Sequence, residues 1–264
     1  MAKLTTMPTA GLDLEIPHIR HIRTADLRDA LRLGVDDFRA MPTHALFVAV
    51  IYPILGVLLA AMIFGNNILP LLFPIMAGFG LLGPVAAIGL YELSRLREQG
   101  GDIPLSAATQ VVRSPAIGSI ALLGLLLLAI FLVWLGVAQA LYQSIFGSAT
   151  PASLTAFVRE VLTTPKGWTL IIVGNAIGFV FSMAVLALSV VSFPMLVDRH
   201  VGIATAIQTS IRAFATSPGT MIVWGLIVSA FLLIGFIPFF FGLAVTLPIL
   251  GHATWHLYRR IVGP

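Results

Sequence analysis

Between Arg113 and Arg159 the chain carries no Asp, Glu, Lys or Arg, and the apolar heart of that stretch, Ile117 to Leu141, is long enough to cross a bilayer. A run of about 20 apolar residues satisfies its own backbone in hydrocarbon only as a continuous helix. This excludes a soluble globule. The composition agrees: 58% of the 264 residues are hydrophobic and 10% are charged, against about a quarter charged in soluble domains. There are no cysteines, which removes disulfides, thiolate catalysis and cysteine-held metal clusters. The net charge of +4 fits basic residues gathered at a cytoplasmic face rather than nucleic-acid binding.

Hydropathy predicts six spans at 44–64, 68–91, 117–141, 168–197, 220–235 and 238–256. Gly65-Asn66-Asn67 turns the first into the second. The last two join at Gly235-Phe236-Ile237-Pro238, which breaks a helix without supplying a polar loop; a single kinked, tilted span is the alternative there. Of the 15 Lys and Arg, all but Arg159 and Lys166 fall on one side of this arrangement. The positive-inside rule then places both termini in the cytoplasm and supports an even number of spans. No cleavable signal peptide is expected from the polar first 43 residues.

The spans carry an internal repeat. VDDFRAMPTHALFVAV, ATQVVRSPAIGSIALL and IRAFATSPGTMIVWGL each place an arginine shortly before a proline (Pro42, Pro115, Pro218) and then a span. A second proline comes late in each return span, at Pro84, Pro194 and Pro248. Helical stripes precede the first and third copies: Leu27, Leu31, Val35 and Phe38, then Ile203, Ile207, Ile211 and Phe214. Thr24 is the expected N-cap of the first. The fold class is therefore all-α: a polytopic membrane protein of six transmembrane helices in three helical-hairpin repeats, each preceded by a cytoplasmic amphipathic helix. A flexible basic arm (1–23) precedes units 24–101, 102–200 and 201–264. The middle unit carries an external amphipathic helix at 151–163, with Thr150 as cap. The cytoplasmic helices either rest in the headgroups or dock on one another or on a partner.

The span interiors hold no acidic or basic residue, which argues against a proton-coupled pump. No hydrolase, zinc-protease or phosphate-loop motif is present, and no enzyme is expected. Gly174, Asn175 and Gly178 form a small-residue pattern, either a packing face or a polar lining. His252 and His256, four apart, share a helix face. With His44 and His200 at similar depth they are candidates for holding haem or a metal; the competing reading is an exit anchor, with Trp255, Tyr258, Arg259 and Arg260 at headgroup level. No cofactor is the default expectation. Arg20, Arg23, Arg28, Arg32, Arg259 and Arg260 are candidates for contact with anionic lipid headgroups or with other subunits of a membrane complex.

PHIRHIR (Pro17–Arg23), LRLGVDDFRAMP (Leu31–Pro42), SFPMLVDRHVG (Ser192–Gly202) and the ending LPILGHATWHLYRR resemble a bacterial integral membrane family, domain of unknown function 2189. The resemblance implies a multi-pass protein of the bacterial inner membrane and no assigned activity. Some members carry the label cytochrome c oxidase subunit I, but that subunit needs many more spans with histidines inside them. A non-enzymatic scaffold, accessory or assembly subunit of a larger membrane complex, in one version oxidase-associated, leads. A carrier for a lipid or apolar solute, and a haem- or metal-binding protein, are the alternatives.

Overall fold

The structure is a computed structural model that describes residues 17–41, 69–81, 83–100, 103–104, 106–148, 151–237 and 241–263. The expected first span, His44 and the 238–240 junction lie outside these residues. Every regular element among the described residues is helical: α1 (Thr24–Ala40), α2 (Leu72–Leu81), α3 (Gly83–Ala86), α4 (Ile88–Glu98), α5 (Ala107–Gln110), α6 (Ile117–Phe146), α7 (Leu154–Thr163), α8 (Pro165–Ser189), α9 (Ser192–Asp198), α10 (Ile203–Thr216), α11 (Pro218–Phe236) and α12 (Leu243–Val262).

Three of these are long and apolar enough to span a membrane: α6, the α8–α9 run Pro165–Asp198, and α11. Their outward side chains, among them Leu122, Leu125, Leu132, Ile172 and Leu226, are exposed. So broad an apolar surface is at home in lipid, not in water. The expected second span is not one helix. It is a 3₁₀ turn at Leu69–Leu71 followed by α2, α3 and α4. Pro84 lies within α3, and a turn at Ala87 separates α3 from α4. The helix then runs past the expected boundary at Tyr91 to Glu98.

Caps correct two other boundaries. The N-cap of α1 is Arg23, not Thr24; the Asp26 carboxylate accepts the Arg23 N–H at 2.8 Å. The outer helix begins at Leu154, not at 151, and Ser153 Oγ caps it by accepting from Ala156 N at 3.1 Å; the expected cap, Thr150, lies outside the described residues. Thr164 caps α8 by accepting from Gly167 N, with Pro165 at the first helical position. Gly167 lies against α7 so closely that a Cβ would fall 2.1 Å from the Val161 carbonyl oxygen.

The centre of the molecule is α12. Its Leu250, His252, Ala253, Trp255, Leu257, Tyr258 and Ile261 are all buried. Trp255 and Tyr258 have no exposed surface, which overturns the expected headgroup anchor. The reason is that α1, α4, α9 and α11 pack against this helix, and from Leu250 onward none of its residues is exposed. The expected flexible arm is also corrected from residue 17 onward. Arg20 N donates to Ile261 O at 2.8 Å, Ile22 N to Ser217 Oγ at 3.1 Å, and Thr220 Oγ1 to Ile22 O at 3.1 Å. The Ile22 side chain is buried.

The amphipathic helices dock through small residues beside their aliphatic stripes, and part of each stripe, Leu27 and Leu31 of α1 and Ile203, Ile207 and Phe214 of α10, packs against the core. The buried positions of α1 are Leu27, Ala30, Gly34 and Asp37. Those of α10 are Thr205, Ala206, Thr209, Ser210 and Ala213. Small residues let helix axes approach closely. Leu31, Val35 and Phe38 flank the α1 contact, half-buried, and Ile211 is exposed.

Candidate functional site

Two features stand out, a polar knot at the charged end and an apolar cavity beside it. The knot is assembled from three helices. On α1, Asp37 is placed inward because it lies three residues from Gly34, the point of closest approach to α12. A Cβ on Gly34 would lie 2.7 Å from Ala253 N and from Ile249 O. Opposite Asp37, α12 supplies His252 and His256, one turn apart. From α4 come Ser94 and Arg97.

The hydrogen bonds fix the proton arrangement. Ser94 donates its hydroxyl to Asp37 Oδ2 at 2.6 Å. Its oxygen then accepts from His252 Nδ1, 2.8 Å away. His256 Nε2 lies 2.9 Å from the same Oδ2 and must donate to an ionised carboxylate. Arg97 donates to Asp37 Oδ1. Burial opposes ionisation of Asp37, and is the largest single influence on it. The hydrogen bonds from His256 and Ser94 and the positive field of the two histidines together outweigh it, so the carboxyl group titrates below its ordinary value of 3.8. A buried carboxylate with three donors is a satisfied group.

This geometry rules on the chemistry of the histidines. In a nucleophilic triad the imidazole bridges serine and acid through its two nitrogens. Here the serine bridges the acid and the imidazole, and Ser94 is 1% exposed, so no activated nucleophile results. The same contacts bear on the haem or metal reading of the histidines. His252 Nδ1 and His256 Nε2 are spent on Ser94 and Asp37. The remaining nitrogen of His252 has no partner but is sealed in the core. Among the described residues no group of three or more His, Asp or Glu is placed to hold a metal. His200 is exposed beyond α9 and does not join the pair.

Around the knot a second shell of charge ties the helix ends together. Arg259 pairs with Glu98 at 3.0 Å and Asp198 at 3.3 Å; Arg260 pairs with Asp26 at 2.9 Å and Asp29 at 3.0 Å. Trp255 Nε1 donates to Glu98 Oε2 at 3.1 Å, and Tyr258 OH to Asp198 Oδ2 at 2.6 Å. The two C-terminal arginines are thus internal ties. Arg20, Arg23, Arg28 and Arg32 lie exposed.

Beside the knot, α2–α4, α6, α8, α11 and α12 border a cavity of about 600 Å³. Trp134 and Trp224 are among its walls, and no charged residue is among the described residues that line it. Gly174, Asn175 and Gly178 all line it, so the small-residue pattern of α8 borders open space. Gly178 also packs on an aromatic ring: a Cβ there would meet Trp134 at 3.1 Å. The polar groups on the described walls are neutral: Tyr91, Asn175, Ser182, Ser189, Ser229 and Thr254, with the indoles of Trp134 and Trp224. Asp37, Ser94 and Arg97 went unnoticed in the sequence. The available signal was an aspartate on the same α1 face as Leu27, Ala30 and Gly34, which demands a partner once that face is buried.

Apolar helices with exposed hydrocarbon faces, polar groups gathered at one end and an uncharged cavity between them define a helical integral membrane protein. Residues 71–198, a little under half of the chain, match the family described as "Predicted integral membrane protein (DUF2189)". Of the motifs that carried the resemblance, only Ser192–Asp198 lies inside the matched segment. No curated protein and no solved structure matches the chain.

Proposed function

We propose that this chain is a non-enzymatic membrane protein that holds, and passes along the bilayer, an apolar membrane-soluble molecule. The carrying observation is the uncharged cavity of about 600 Å³ among the helices. Its size falls within the roughly 300–1,000 Å³ of small-molecule sites. The scaffold reading draws on the amphipathic helices as docking surfaces, but the small-residue faces of α1 and α10 are already occupied by packing within the chain. Six spans in three repeats, both termini in the cytoplasm and residence in a bacterial inner membrane complete the proposal. The one-sided distribution of Lys and Arg supports that orientation, with exposed Arg20, Arg23, Arg28 and Arg32 facing anionic headgroups.

The test fills the cavity. A Cβ on Gly225 would touch only the mobile ends of Leu186, at 3.1 Å, and Met183, at 3.2 Å. Gly225→Phe therefore occupies the space without striking backbone. Wild type and variant would be purified into nanodiscs, and co-purified small lipids compared by mass spectrometry. A bound species enriched in wild type and lost in Gly225→Phe, at equal thermal stability, supports the proposal. Identical profiles refute it.

A further inference from the structure

We infer that the inner end of this cavity is a hydrogen-bonding subsite, where the Trp224 indole N–H and the Ser189 hydroxyl take an acceptor oxygen of an uncharged, largely hydrocarbon molecule. The inference rests on the carrier reading above and names the ligand chemistry of the same site.

Most donors on the wall are spent within the chain. Ser182 Oγ donates to Gly178 O at 2.9 Å, Ser229 Oγ to Gly225 O at 2.9 Å, Thr254 Oγ1 to Leu250 O at 2.7 Å and the Trp134 indole N–H to Pro74 O at 3.1 Å. Tyr91 has a partner of its own. Asn175 gives one amide N–H to Ile171 O at 2.8 Å and is exposed. Trp224 and Ser189 differ. Each is 1% exposed and lines the cavity, and neither side-chain donor has a partner among the described residues. A buried indole N–H ordinarily finds one, as those of Trp134 and Trp255 do. The sealed, unpartnered side-chain atoms among the described residues are Thr246 Oγ1 and His252 Nε2. The Trp224 and Ser189 atoms are not sealed, so the open space they reach is the cavity they line.

Helix pairing brings the two donors to one level. A Cβ on Gly225 would meet Leu186 at 3.1 Å and Met183 at 3.2 Å. Trp224, one residue earlier on α11, therefore comes level with the last turn of α8, which carries Ser189. Asn175 lies about 21 Å back along α8 from Ser189, at about 1.5 Å per residue. An indole N–H can only donate. Left dry and unpaired it is a cost, whereas spare lone pairs on the neighbouring oxygens are better tolerated. What it requires of a ligand is an acceptor, whether a ketone, ester or hydroxyl oxygen. No charged residue is among the described residues that line the cavity. A carboxylate or phosphate, though an acceptor, would be desolvated there without a counter-ion.

The experiment uses the full chain in phosphatidylcholine nanodiscs, with methyl pentadecyl ketone, heptadecane and heptadecanoate as probes. These share a carbon count and differ in head: an uncharged acceptor, none, and an anion. Saturable binding is measured against each probe's mole fraction in the lipid, which removes differences in partitioning. One hydrogen bond in a dry site predicts that the ketone binds up to about tenfold tighter than the alkane, with heptadecanoate weaker than the ketone. The carbonyl stretch of the bound, isotope-labelled ketone should fall below its value in protein-free nanodiscs. Trp224→Phe keeps a ring and removes the N–H, so the ketone's advantage should shrink and the band move back while alkane binding persists. Ser189→Ala should do the same in part. The wild-type band depends on no variant's folding. A ketone equal to the alkane, an unshifted band, a folded Trp224→Phe that changes neither, or a heptadecanoate that binds best overturns this inference and leaves the carrier reading standing. No saturable binding of any of the three overturns both.

Discussion

Asp37→Asn tests the knot most directly. In the native chain Asp37 is 4% exposed and accepts from Ser94, His256 and Arg97. The amide keeps one oxygen. Its best use is to face Ser94 and His256, which turns the new NH₂ toward the Arg97 guanidinium, donor against donor. Arg97 has an escape, because its side chain is already 38% exposed. Its lost pairing is therefore worth no more than a surface pair, about 0–1 kcal/mol. The two inner bonds fall from charge-assisted to neutral, at about 1 kcal/mol each. The expected loss is about 2–3 kcal/mol, or about 5–10 °C in thermal midpoint. The assay is intrinsic tryptophan fluorescence on heating in mild detergent, since Trp255 is fully buried within a turn of both histidines. The neighbouring Asp36 is exposed, and Asp36→Asn should cost under about 0.5 kcal/mol. The folded-state titration of Asp37 is depressed below 3.8. Its stabilisation is thus present above that value and lost as pH falls through the folded pKa. The gap between wild type and Asp37→Asn should hold, as far as this group is concerned, from pH 8 to pH 5 and narrow only below pH 3.8. Equal midpoints for the two asparagine variants would refute the reasoning.

The cysteine-free chain lends itself to accessibility labelling for the remaining cases. A β-branched side chain at Gly34 must push α1 away from the Ile249 and Ala253 backbone. Gly34→Val should cost about 3 kcal/mol or more, and Ala30→Cys, buried in the native contact, should become reactive to maleimide in that background. Glu98→Gln removes the charge shared by Trp255 and Arg259, but Glu98 is 40% exposed. The midpoint should move by less than about 1 kcal/mol, while Trp255 emission shifts because its N–H partner has lost charge.

What could be read in the sequence was set by transfer energetics, which depend on composition alone. The helices α6, α8 and α11 follow from uncharged runs that lipid forces into helices. The faces of α1 and α10 were read only in part, because periodicity weighs side chains by size. The stripe of Leu27, Leu31, Val35 and Phe38 is the more hydrophobic, yet only Leu27 of it is fully buried, and the closest approach to the backbone of α12 comes at Gly34. Small residues are quiet in a hydropathy profile and decisive at a helix crossing. Trp255 and Tyr258 were read as headgroup residues for the same kind of reason. Their composition suits an interface, and only the placement of α4 and α9 against that end of α12, with Glu98 and Asp198 ready to accept, makes a fully buried site acceptable for their polar atoms.

The histidine pair gains its meaning from register along α12. Leu247, Leu250, Gly251 and Thr254 border the cavity, spaced as one helical stripe. Ile249, His252, Ala253 and His256 form the adjacent stripe, which meets Gly34, Ser94 and Asp37. Trp255, Tyr258 and Arg259 continue toward Glu98 and Asp198. One helix therefore serves as cavity wall on one side and as the floor for α1 on the next. Leu250, Gly251 and Thr254 of the first stripe each have a neighbour of the second immediately before or after them, so neither side can shift there without the other. This assigns the histidines a mechanical place. They fasten α1 across the back of the helix that closes the cavity, and the charge that holds them lies outside the space where an uncharged molecule would sit.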